Sequence, residues 1–428
     1  MMNLVIELTA LGVLAVMIFY VSFLFFTTFR SSQLITEVAE SEQRLFQTRV
    51  ADILQKTAVE RDKNESSWNG FRKFEVAKKQ PEGGGICSFY LRPHDNRSLP
   101  PFDPGQYLTF RLDIPGERKP VMRCYSLSDS PKPEYFRVSI KAVPPPRDKP
   151  EVRPGLSSNF FHNEIEEGTI LDVRAPGGHF FLDTAKHTPV VLIGGGIGLT
   201  PVMSMLNQIV ESGSTREVQF FYGVRNADEH VMKEHLERIA AENENVTLHI
   251  CYSNPTDNDV LGKDYHHAER VSVELFKKVL TSNNYEYYFC GPPPMMNSLF
   301  EDLREWDVPE DHINYEAFGP ATVKKKKEAD DTSDDGAAAT PPASGFEVEF
   351  AKSGTKVAWD PNIGSLLDFA EEHDVDIDFG CRAGNCGTCI TAIKSGDVDY
   401  ISEPGEKPEA GSCLACVSVP KGALVLDA

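Results

Sequence analysis

The stretch GCRAGNCGTC at residues 380–389 constrains the fold of its neighbourhood more than any other part of the sequence. It contains Cys381, Cys386 and Cys389, with four residues between the first two cysteines and two residues between the second pair. Five of the nine cysteines in the chain lie between residues 381 and 416. Nine cysteines in 428 residues are too few for a disulfide scaffold, and a cluster of this kind indicates metal ligation in a reducing compartment.

The spacing of the cysteines indicates which metal centre they bind. C-x4-C-x2-C is the plant-type spacing for a 2Fe-2S cluster, whose fourth thiolate comes from far along the chain. The glycines within the stretch let the backbone fold tightly around the cluster and direct amide groups at its sulfides. The alternative is zinc, which prefers two close pairs of cysteines or mixed Cys and His sets. The pattern therefore favours the cluster.

The fourth ligand is sought in SCLACVSVP, which contains Cys413 and Cys416. This segment resembles the ending of plant ferredoxins, in which the ligand cysteine follows a small residue and opens a β run toward a proline. The resemblance implies Cys416 as the fourth ligand, with Cys413 as the second choice. It also implies that residues 346–428 form an α+β ferredoxin-like (β-grasp) domain.

The N-terminal stretch Leu4 to Phe29 is apolar except for Glu7 and a few hydroxyl groups, and it is longer than the roughly 20 residues that cross a bilayer. It predicts a transmembrane helix. A cleaved signal peptide is the alternative, but no Lys or Arg precedes the apolar run. The first positive charges, beginning with Arg30 and Arg44, follow the run, which predicts a single-pass membrane protein with its remaining domains in the cytoplasm.

Composition shifts along the chain predict several domains after this segment. Directly after it, a stretch with an apolar stripe and without Pro or Gly predicts a helix. Apolar residues with a two-residue period follow and indicate an all-β region. Short β runs separated by helical segments predict a parallel α/β sheet, and a charged, Ala- and Pro-rich stretch predicts a linker. The expected boundaries are 1–30 (transmembrane anchor), 31–66 (juxtamembrane helix), 67–184 (antiparallel β-barrel), 185–322 (α/β), 323–345 (flexible linker) and 346–428 (cluster domain).

The formal charge of the chain is −21, from 64 Asp and Glu against 43 Lys and Arg. This balance argues against general nucleic-acid binding. The last domain is also acidic, with the run EEHDVDID at residues 371–378 directly before the cysteine stretch. We expect these charges either to solvate the domain or to steer a basic acceptor protein toward it.

The all-β region contains RCYSLSDSP at residues 123–131, followed by FRVSIKAV, GLSSNFFH and PGGHFFLD. In this order the motifs resemble the flavin domain of the ferredoxin–NADP reductase superfamily. The resemblance implies that Arg123 pairs with the pyrophosphate, that Tyr125 packs on the isoalloxazine ring and that the hydroxyl of Ser126 reaches N5.

Two later motifs of the same region complete the expected flavin site. GLSSN matches the phosphate turn of the superfamily, with Ser157 and Ser158 as donors. PGGHFFL implies that an aromatic side chain, Phe180 or Phe181, meets the adenine, which favours FAD. FMN stays open because some members of the superfamily use it.

The strand VVLIGGGIGLTP ends in a glycine cluster and is followed by a helix start, although its spacing departs from GxGxxG. It resembles the pyridine-nucleotide lobe of the same superfamily, and CGPPPMM resembles the turn where the nicotinamide arrives. YEAFGP corresponds to the end of that lobe, with Phe318 as a lid. The residues implied to bind or to tune are Gly194, Gly195, Gly196, Gly198, Thr200, Cys290, Gly291, Pro292, Glu316 and Phe318.

The order of flavin, nucleotide and ferredoxin domains resembles that of phthalate-dioxygenase-type reductases. It implies NADH, FAD and a 2Fe-2S cluster as cofactors and an oxygenase, hydroxylase or desaturase component as acceptor, with Ser126, Cys290 and Glu316 tuning the hydride-transfer geometry. NADH is preferred over NADPH because YGVRNADEH supplies only Arg225 for a 2′-phosphate. A respiratory-type NADH:quinone subunit and a tethered assembly protein with vestigial centres are the alternatives. Domain order disfavours the first, and the intact cysteine and glycine sets disfavour the second.

Overall fold

The computed structural model describes residues 66–145, 150–318 and 345–428 apart from positions 383, 385, 386, 402, 403 and 405–407, together with scattered positions between 11 and 57. The chain divides into two compact units, Met1–Glu65 and Ser66–Ala428. Most of the predicted juxtamembrane helix and of the linker, as well as Cys386, lies outside the described residues.

The prediction of a membrane-spanning helix at residues 1–30, and of a single-pass membrane location, is wrong. The described residues of this stretch, 11 to 30 with gaps, are helical. However, none of the helices in the described part of the chain is long and apolar enough to cross a bilayer. The apolar count of the sequence was therefore not sufficient evidence for a transmembrane helix.

The first region of the second unit is an antiparallel sheet of six strands in the order β4-β3-β6-β1-β2-β5. Alternate residues of its strands, such as Phe74, Val76, Phe89 and Leu91, point into one apolar core, as a half-buried sheet requires. Its elements are β1 (Arg72–Gly83), β2 (Ile86–Pro93), β3 (Tyr107–Leu112), β4 (Val121–Ser126), β5 (Phe136–Lys141), α1 (Leu156–Asn163) and β6 (Ile170–Val173).

The second region is a parallel sheet of five strands in the order β11-β10-β7-β8-β9. Each face of β7 enters a separate apolar core, which explains why every residue of that strand is buried. Its elements are β7 (Val190–Gly195), α2 (Leu199–Glu211), β8 (Val218–Val224), α3 (Lys233–Glu242), β9 (Val246–Tyr252), α4 (Val273–Val279), β10 (Glu286–Cys290), α5 (Pro293–Glu305) and β11 (Ile313–Glu316).

The third region is a mixed sheet of five strands in the order β13-β12-β18-β14-β16, beside the two-stranded sheet β15-β17. Its helix α6 begins with a capping box, in which Ser365 and Asp368 each accept a hydrogen bond from the other's backbone amide. The elements are β12 (Glu347–Phe350), β13 (Thr355–Ala358), α6 (Leu366–Glu372), β14 (Ile390–Ser395), β15 (Val398–Tyr400), β16 (Ser412–Leu414), β17 (Ser418–Pro420) and β18 (Leu424–Leu426).

A buried ion pair fixes the segment between the first two sheets to the parallel sheet. Arg216, just before β8, lies 2.7 Å from Glu286 at the start of β10, and both side chains are 2% exposed. Arg216 also donates to the carbonyl oxygens of Asp183 and Thr188, which belong to the connecting segment.

Candidate functional site

A cavity of about 460 Å³ lies where the three regions of the second unit meet. Its walls come from β4, β5 and the start of α1, from the turn after β7 and the end of β11, and from the cysteine stretch. Of the predicted site residues, those that line it are Arg123, Tyr125, Ser126, Ser157, Ser158, Thr200, Glu316, Phe318 and Cys381. The cavity therefore unites candidates from five separate sequence motifs.

One end of the cavity is rich in donors suited to an anion. Ser157 and Ser158 are buried in the first turn of α1, where free amide groups collect. The hydroxyl of Ser158 donates to the carbonyl oxygen of Gly155, at 3.2 Å. By contrast, the buried Oγ of Ser157 has no hydrogen-bond partner among the residues that the structure describes. A buried hydroxyl without a partner at the wall of a cavity indicates a polar group of a ligand.

Arg123 brings a guanidinium group to the same cavity. Burial lowers its pKa from the usual value, and the positive charge of Arg382 contributes to the shift. A bound phosphate would offset both effects, because it would pair with the guanidinium group. Lys141 adds a third basic side chain to the cavity wall. These donors fit the pyrophosphate of a dinucleotide flavin.

The wall beside these donors is aromatic and close-packed. The Tyr125 ring lies edge-on to the rings of Phe110 and Phe161, with centroids 5.8 and 5.2 Å away. Tyr107 forms the neighbouring wall. Its ring closely approaches Gly178, where a Cβ atom would come within 2.8 Å of it, so the PGG turn needs glycine at that position. Flat aromatic walls of this kind suit a planar ring system.

A buried carboxyl group, that of Glu316, also lines the cavity. Ser126 donates a hydrogen bond to Glu316 across 3.2 Å, which links the end of β4 to the end of β11. Burial raises the pKa of Glu316 to about 8, and the bond from Ser126 opposes the shift only in part. Glu316 is therefore protonated at neutral pH. Cys290 pairs with Glu316 in the sheet, and burial together with this carboxyl raises the pKa of its thiol.

The glycine cluster after β7 permits close packing. A Cβ atom on Gly198 would lie 2.1 Å from the carbonyl oxygen of Cys290, so the turn can lie against β10 only with glycine there. Gly196 has a φ of 55°, in the left-handed region. Thr200, in the first turn of α2, reaches the cavity and donates to the carbonyl oxygen of Ile197. The glycines shape the cavity wall, whereas Thr200 lines it.

The thiol of Cys416 lies 3.2 Å from that of Cys389. Contacts with Cys381 and then with Cys389 raise the pKa of the Cys416 thiol. Cys413 is buried separately, and a contact with Ser418 partly offsets the effect of burial on its pKa. The described residues contain no group of three His, Cys, Asp or Glu side chains around a single ion, and Cys386 lies outside them. The described thiols fit a cluster with Cys416, rather than Cys413, as a member.

Some predicted residues lie elsewhere. Phe180 is 7% exposed and its ring lies 6.0 Å from that of Tyr288, inside the apolar core rather than at the cavity. Phe181 is 37% exposed and is likewise absent from the cavity wall. Cys290, Gly291 and Pro292 lie behind the glycine turn and do not line the cavity.

The cavity residues that sequence reasoning missed include Tyr107, Lys141 and Arg382. Lys141 ends the strand motif FRVSIKAV, and a basic residue at the end of a strand near a phosphate turn was the available signal. Arg382 is part of the cysteine stretch itself. Its place in this cavity depends on how two domains meet, which no local pattern specifies.

Three family profiles match this chain, in one order and without overlap. The oxidoreductase FAD-binding domain matches residues 74–182, the oxidoreductase NAD-binding domain matches residues 192–300, and the 2Fe-2S iron-sulfur cluster binding domain matches residues 350–421. Each match falls on one of the three sheets described above.

Among curated proteins, flavohemoproteins are similar to the first two domains. That of Halalkalibacterium halodurans is 41% identical over 254 residues, which cover 59% of this chain and 61% of the relative, and that of Bacillus cereus strain ATCC 14579 is 41% identical over 259 residues. The chain thus spans about three fifths of the length of these relatives.

Solved structures extend the similarity to the third domain. Phthalate dioxygenase reductase, described as a modular structure for electron transfer from pyridine nucleotides to [2Fe-2S], is 26% identical with a TM-score of 0.52, and the match covers 84% of this chain and 98% of that one. The FAD/NAD-binding domain of nitric oxide dioxygenase from Vibrio cholerae is 29% identical with a TM-score of 0.52, over 59% of this chain and all of that one.

The chain is therefore an oxidoreductase that contains FAD-binding, NAD-binding and 2Fe-2S domains in a ferredoxin reductase-like arrangement. The predicted enzyme class, domain order and cofactors are confirmed.

Proposed function

We propose that this protein passes electrons from NADH through FAD and a 2Fe-2S cluster to a separate acceptor protein, an oxygenase, hydroxylase or desaturase component. The observation that carries the proposal is the single cavity lined by Ser126, by Thr200 and Glu316, and by Cys381, one wall from each domain. The similarity to phthalate dioxygenase reductase over 84% of the chain supports the same conclusion.

The flavin supplies the conversion between the two-electron hydride of NADH and the one-electron cluster. The residues of this chain bind and orient it. Arg123 and the partnerless hydroxyl of Ser157 suit its pyrophosphate, while the ordered Tyr125 ring suits its planar face. A dinucleotide flavin, FAD, is favoured over FMN by the number of anion donors at one end of the cavity.

At the nicotinamide side, the residues of this chain control charge and access. Protonated Glu316 accepts the hydrogen bond of Ser126 without placing a negative charge beside an anionic dinucleotide. Phe318 is 40% exposed at the mouth of the cavity, as expected for a lid that the nicotinamide displaces. Thr200 and the glycine turn define the neighbouring wall, and Cys290, Gly291 and Pro292 support it from behind.

The choice of NADH over NADPH is supported by the surroundings of Arg225. This arginine follows β8, where the second strand of such a lobe meets the adenosine ribose. Glu229 lies 3.2 Å from its guanidinium group and competes for it. We expect kcat/KM for NADH to exceed that for NADPH at least tenfold in ferricyanide reduction. Comparable values for the two nucleotides would contradict this assignment.

The ligand set Cys381, Cys386, Cys389 and Cys416 is proposed for the cluster. Because the Cys416 thiol lies 3.2 Å from that of Cys389 and also contacts Cys381, Cys416→Ser should lose most of the cluster absorbance, whereas Cys413→Ser should keep it. Iron and acid-labile sulfide per chain provide the measurement. Retention of the cluster in Cys416→Ser together with its loss in Cys413→Ser would contradict the ligand set.

We also propose a β-barrel for the flavin domain and a β-grasp fold for the cluster domain. An isolated bridge between Leu127 and Val138 joins the outer strands β4 and β5 and supports a closed barrel for residues 67–184. The mixed sheet with α6 supports a β-grasp fold for residues 346–428. The family profiles fall inside the proposed boundaries 67–184, 185–322 and 346–428.

The purified full chain tests the proposal. We expect one FAD and two irons per chain, and NADH-dependent reduction of both ferricyanide and cytochrome c. Cytochrome c reduction should depend on the cluster. Cys416→Ser should therefore abolish cytochrome c reduction and leave ferricyanide reduction in place. A protein that contains neither flavin nor iron after gentle purification, or one that reduces a soluble quinone far faster than cytochrome c, would overturn the assignment.

A further inference from the structure

Phe379, the residue before the cysteine stretch, lies between two guanidinium groups. The Cζ atom of Arg382 lies 3.9 Å from the centre of its ring, and that of Arg123 lies 5.4 Å from it. Arg382 belongs to the 2Fe-2S domain and Arg123 to the flavin domain, so the ring joins the two domains. Cation–π contacts stabilise most where water is excluded, and Arg123 is largely buried here.

Arg382 is held in place from its own domain. It pairs with Asp368, at 3.2 Å, and with Glu371, both on α6. Its φ is 54°, in the left-handed region that residues other than glycine seldom occupy. Such a conformation persists only where the surroundings enforce it, and it often marks a functional position. Here it directs a charged side chain back over Phe379 and toward the cavity.

A second contact joins the same two domains. Lys119, which precedes β4, forms an ion pair with Asp376 of the acidic run. Glu371 and Asp376 both belong to the run that sequence analysis assigned to solvation or to an external partner. Both are engaged within the chain, which gives part of this acidity an internal role.

We propose that the Arg382–Phe379–Arg123 stack positions the cluster loop over the flavin cavity, and that the ion pair between Lys119 and Asp376 is a second contact that holds the two domains together. The inference rests on the proposed electron path. Phe379 and Arg382 are positioning residues: they set how often the cluster domain occupies the docked arrangement and do not themselves carry the electron. The rate of transfer from flavin to cluster then depends on the stack, whereas hydride transfer from NADH does not.

Zero-length carbodiimide cross-linking of the full chain measures how often the cluster domain is docked on the flavin domain, and it does so independently of enzyme activity. In the wild type, mass spectrometry should find an amide bond between Lys119 and Asp376. Removal of a contact of cation–π strength from a two-state docking equilibrium is expected to lower the yield on the order of tenfold in Phe379→Leu and in Arg382→Gln. Arg382→Lys should not restore it, because an ammonium group lacks the planar surface that stacks.

The kinetic readout separates positioning from cofactor loading. In Phe379→Leu with wild-type flavin and iron content, cytochrome c reduction should fall on the order of tenfold while ferricyanide reduction stays within twofold. Phe379→Leu carries the test if Arg382→Gln loses its cluster, since Phe379 is not one of the proposed ligands and leucine retains apolar bulk.

Lys356→Gln is the matched control. It removes one positive charge and one ion pair, to Glu349 at 2.8 Å, from the same domain but from a strand outside the cavity wall. It should match the wild type in both readouts. Wild-type cross-linking and cytochrome c reduction in Phe379→Leu, or full recovery in Arg382→Lys, would overturn the proposal. Absence of flavin or iron from the wild type would instead refute the proposed function. The cross-linking yields of the variants would then still decide whether the stack positions the cluster domain.

Discussion

Replacement of Glu316 by glutamine tests whether this buried carboxyl group is protonated in the folded protein at neutral pH. Burial raises its pKa from 4.5 to about 8. Glutamine is neutral, has nearly the same shape and can still accept a hydrogen bond from Ser126. The substitution therefore removes the titration and leaves most of the packing unchanged.

The sign of the effect follows from where the proton is bound. Below pH 4.5 the folded and unfolded chains both hold it, and the carboxyl group has no pH-dependent cost. Between pH 4.5 and 8 the unfolded chain releases the proton while the folded chain retains it, so the stability of the wild type falls as pH rises. At about 1.4 kcal/mol per pH unit, the cost is about 1 kcal/mol at pH 5 and about 4 kcal/mol at pH 8.

Glu316→Gln should thus be stabilised relative to the wild type by a margin that widens by about 3 kcal/mol from pH 5 to pH 8. For domains of this size the change corresponds to a gap in Tm that widens by roughly 6–12 °C. Differential scanning calorimetry of the full chain at several pH values provides the measurement, with the transition of the flavin and nucleotide domains compared between variants.

Glu274→Gln is the control, because the Glu274 side chain is 75% exposed and pairs with Lys277 in its own helix. Its Tm should follow that of the wild type at every pH. A gap between Glu316→Gln and the wild type that stays constant from pH 5 to pH 8 would refute the raised pKa.

Two further predictions concern the packing around the site. Arg216→Met should lower the free energy of unfolding by about 3 kcal/mol because it leaves Glu286 buried without its main partner. A second change, Glu286→Leu, should recover most of this loss. Urea unfolding measures both variants, and a double variant as unstable as Arg216→Met would contradict the explanation. Gly198→Ala should lower stability by about 2 kcal/mol or more, since its Cβ atom would meet a carbonyl oxygen at 2.1 Å. Gly177→Ala, which meets no atom within 4 Å, should stay within about 0.5 kcal/mol of the wild type, and similar losses in both alanine variants would argue against the clash.

Features that depend on local geometry could be predicted from the sequence. The cysteine spacing reflects the distances within a cluster, and the glycine turn reflects how closely a backbone must approach its neighbour. The preference for Cys416 over Cys413 as the fourth ligand stays a prediction, and the 3.2 Å approach of the Cys416 thiol to that of Cys389 supports it. Ser126 and Glu316 were also each named, but their contact across 190 positions of sequence required the fold.

Features that depend on tertiary choice could not be predicted in the same way. Phe180 and Phe181 are adjacent and equally apolar, and the tertiary packing, in which Phe180 lies beside Tyr288, determines which one is in the core. The N-terminal prediction failed because it rested on a count of apolar residues, whereas the helices of the described residues are not long and apolar enough to span a bilayer. Arg382 was overlooked because a motif does not reveal which neighbouring domain its side chains contact.

The charges around the cavity explain how so acidic a chain can bind anionic cofactors. The net charge of −21 would repel a dinucleotide at long range, but salt screens such interactions beyond about 10 Å. Within the cavity the balance is reversed, because Arg123, Lys141 and Arg382 line it and Glu316 is protonated. Two carboxylates of the acidic run, Glu371 among them, are paired with basic side chains. Anion binding is therefore expected to depend on a few groups that line the cavity and act at short range, where screening is weak.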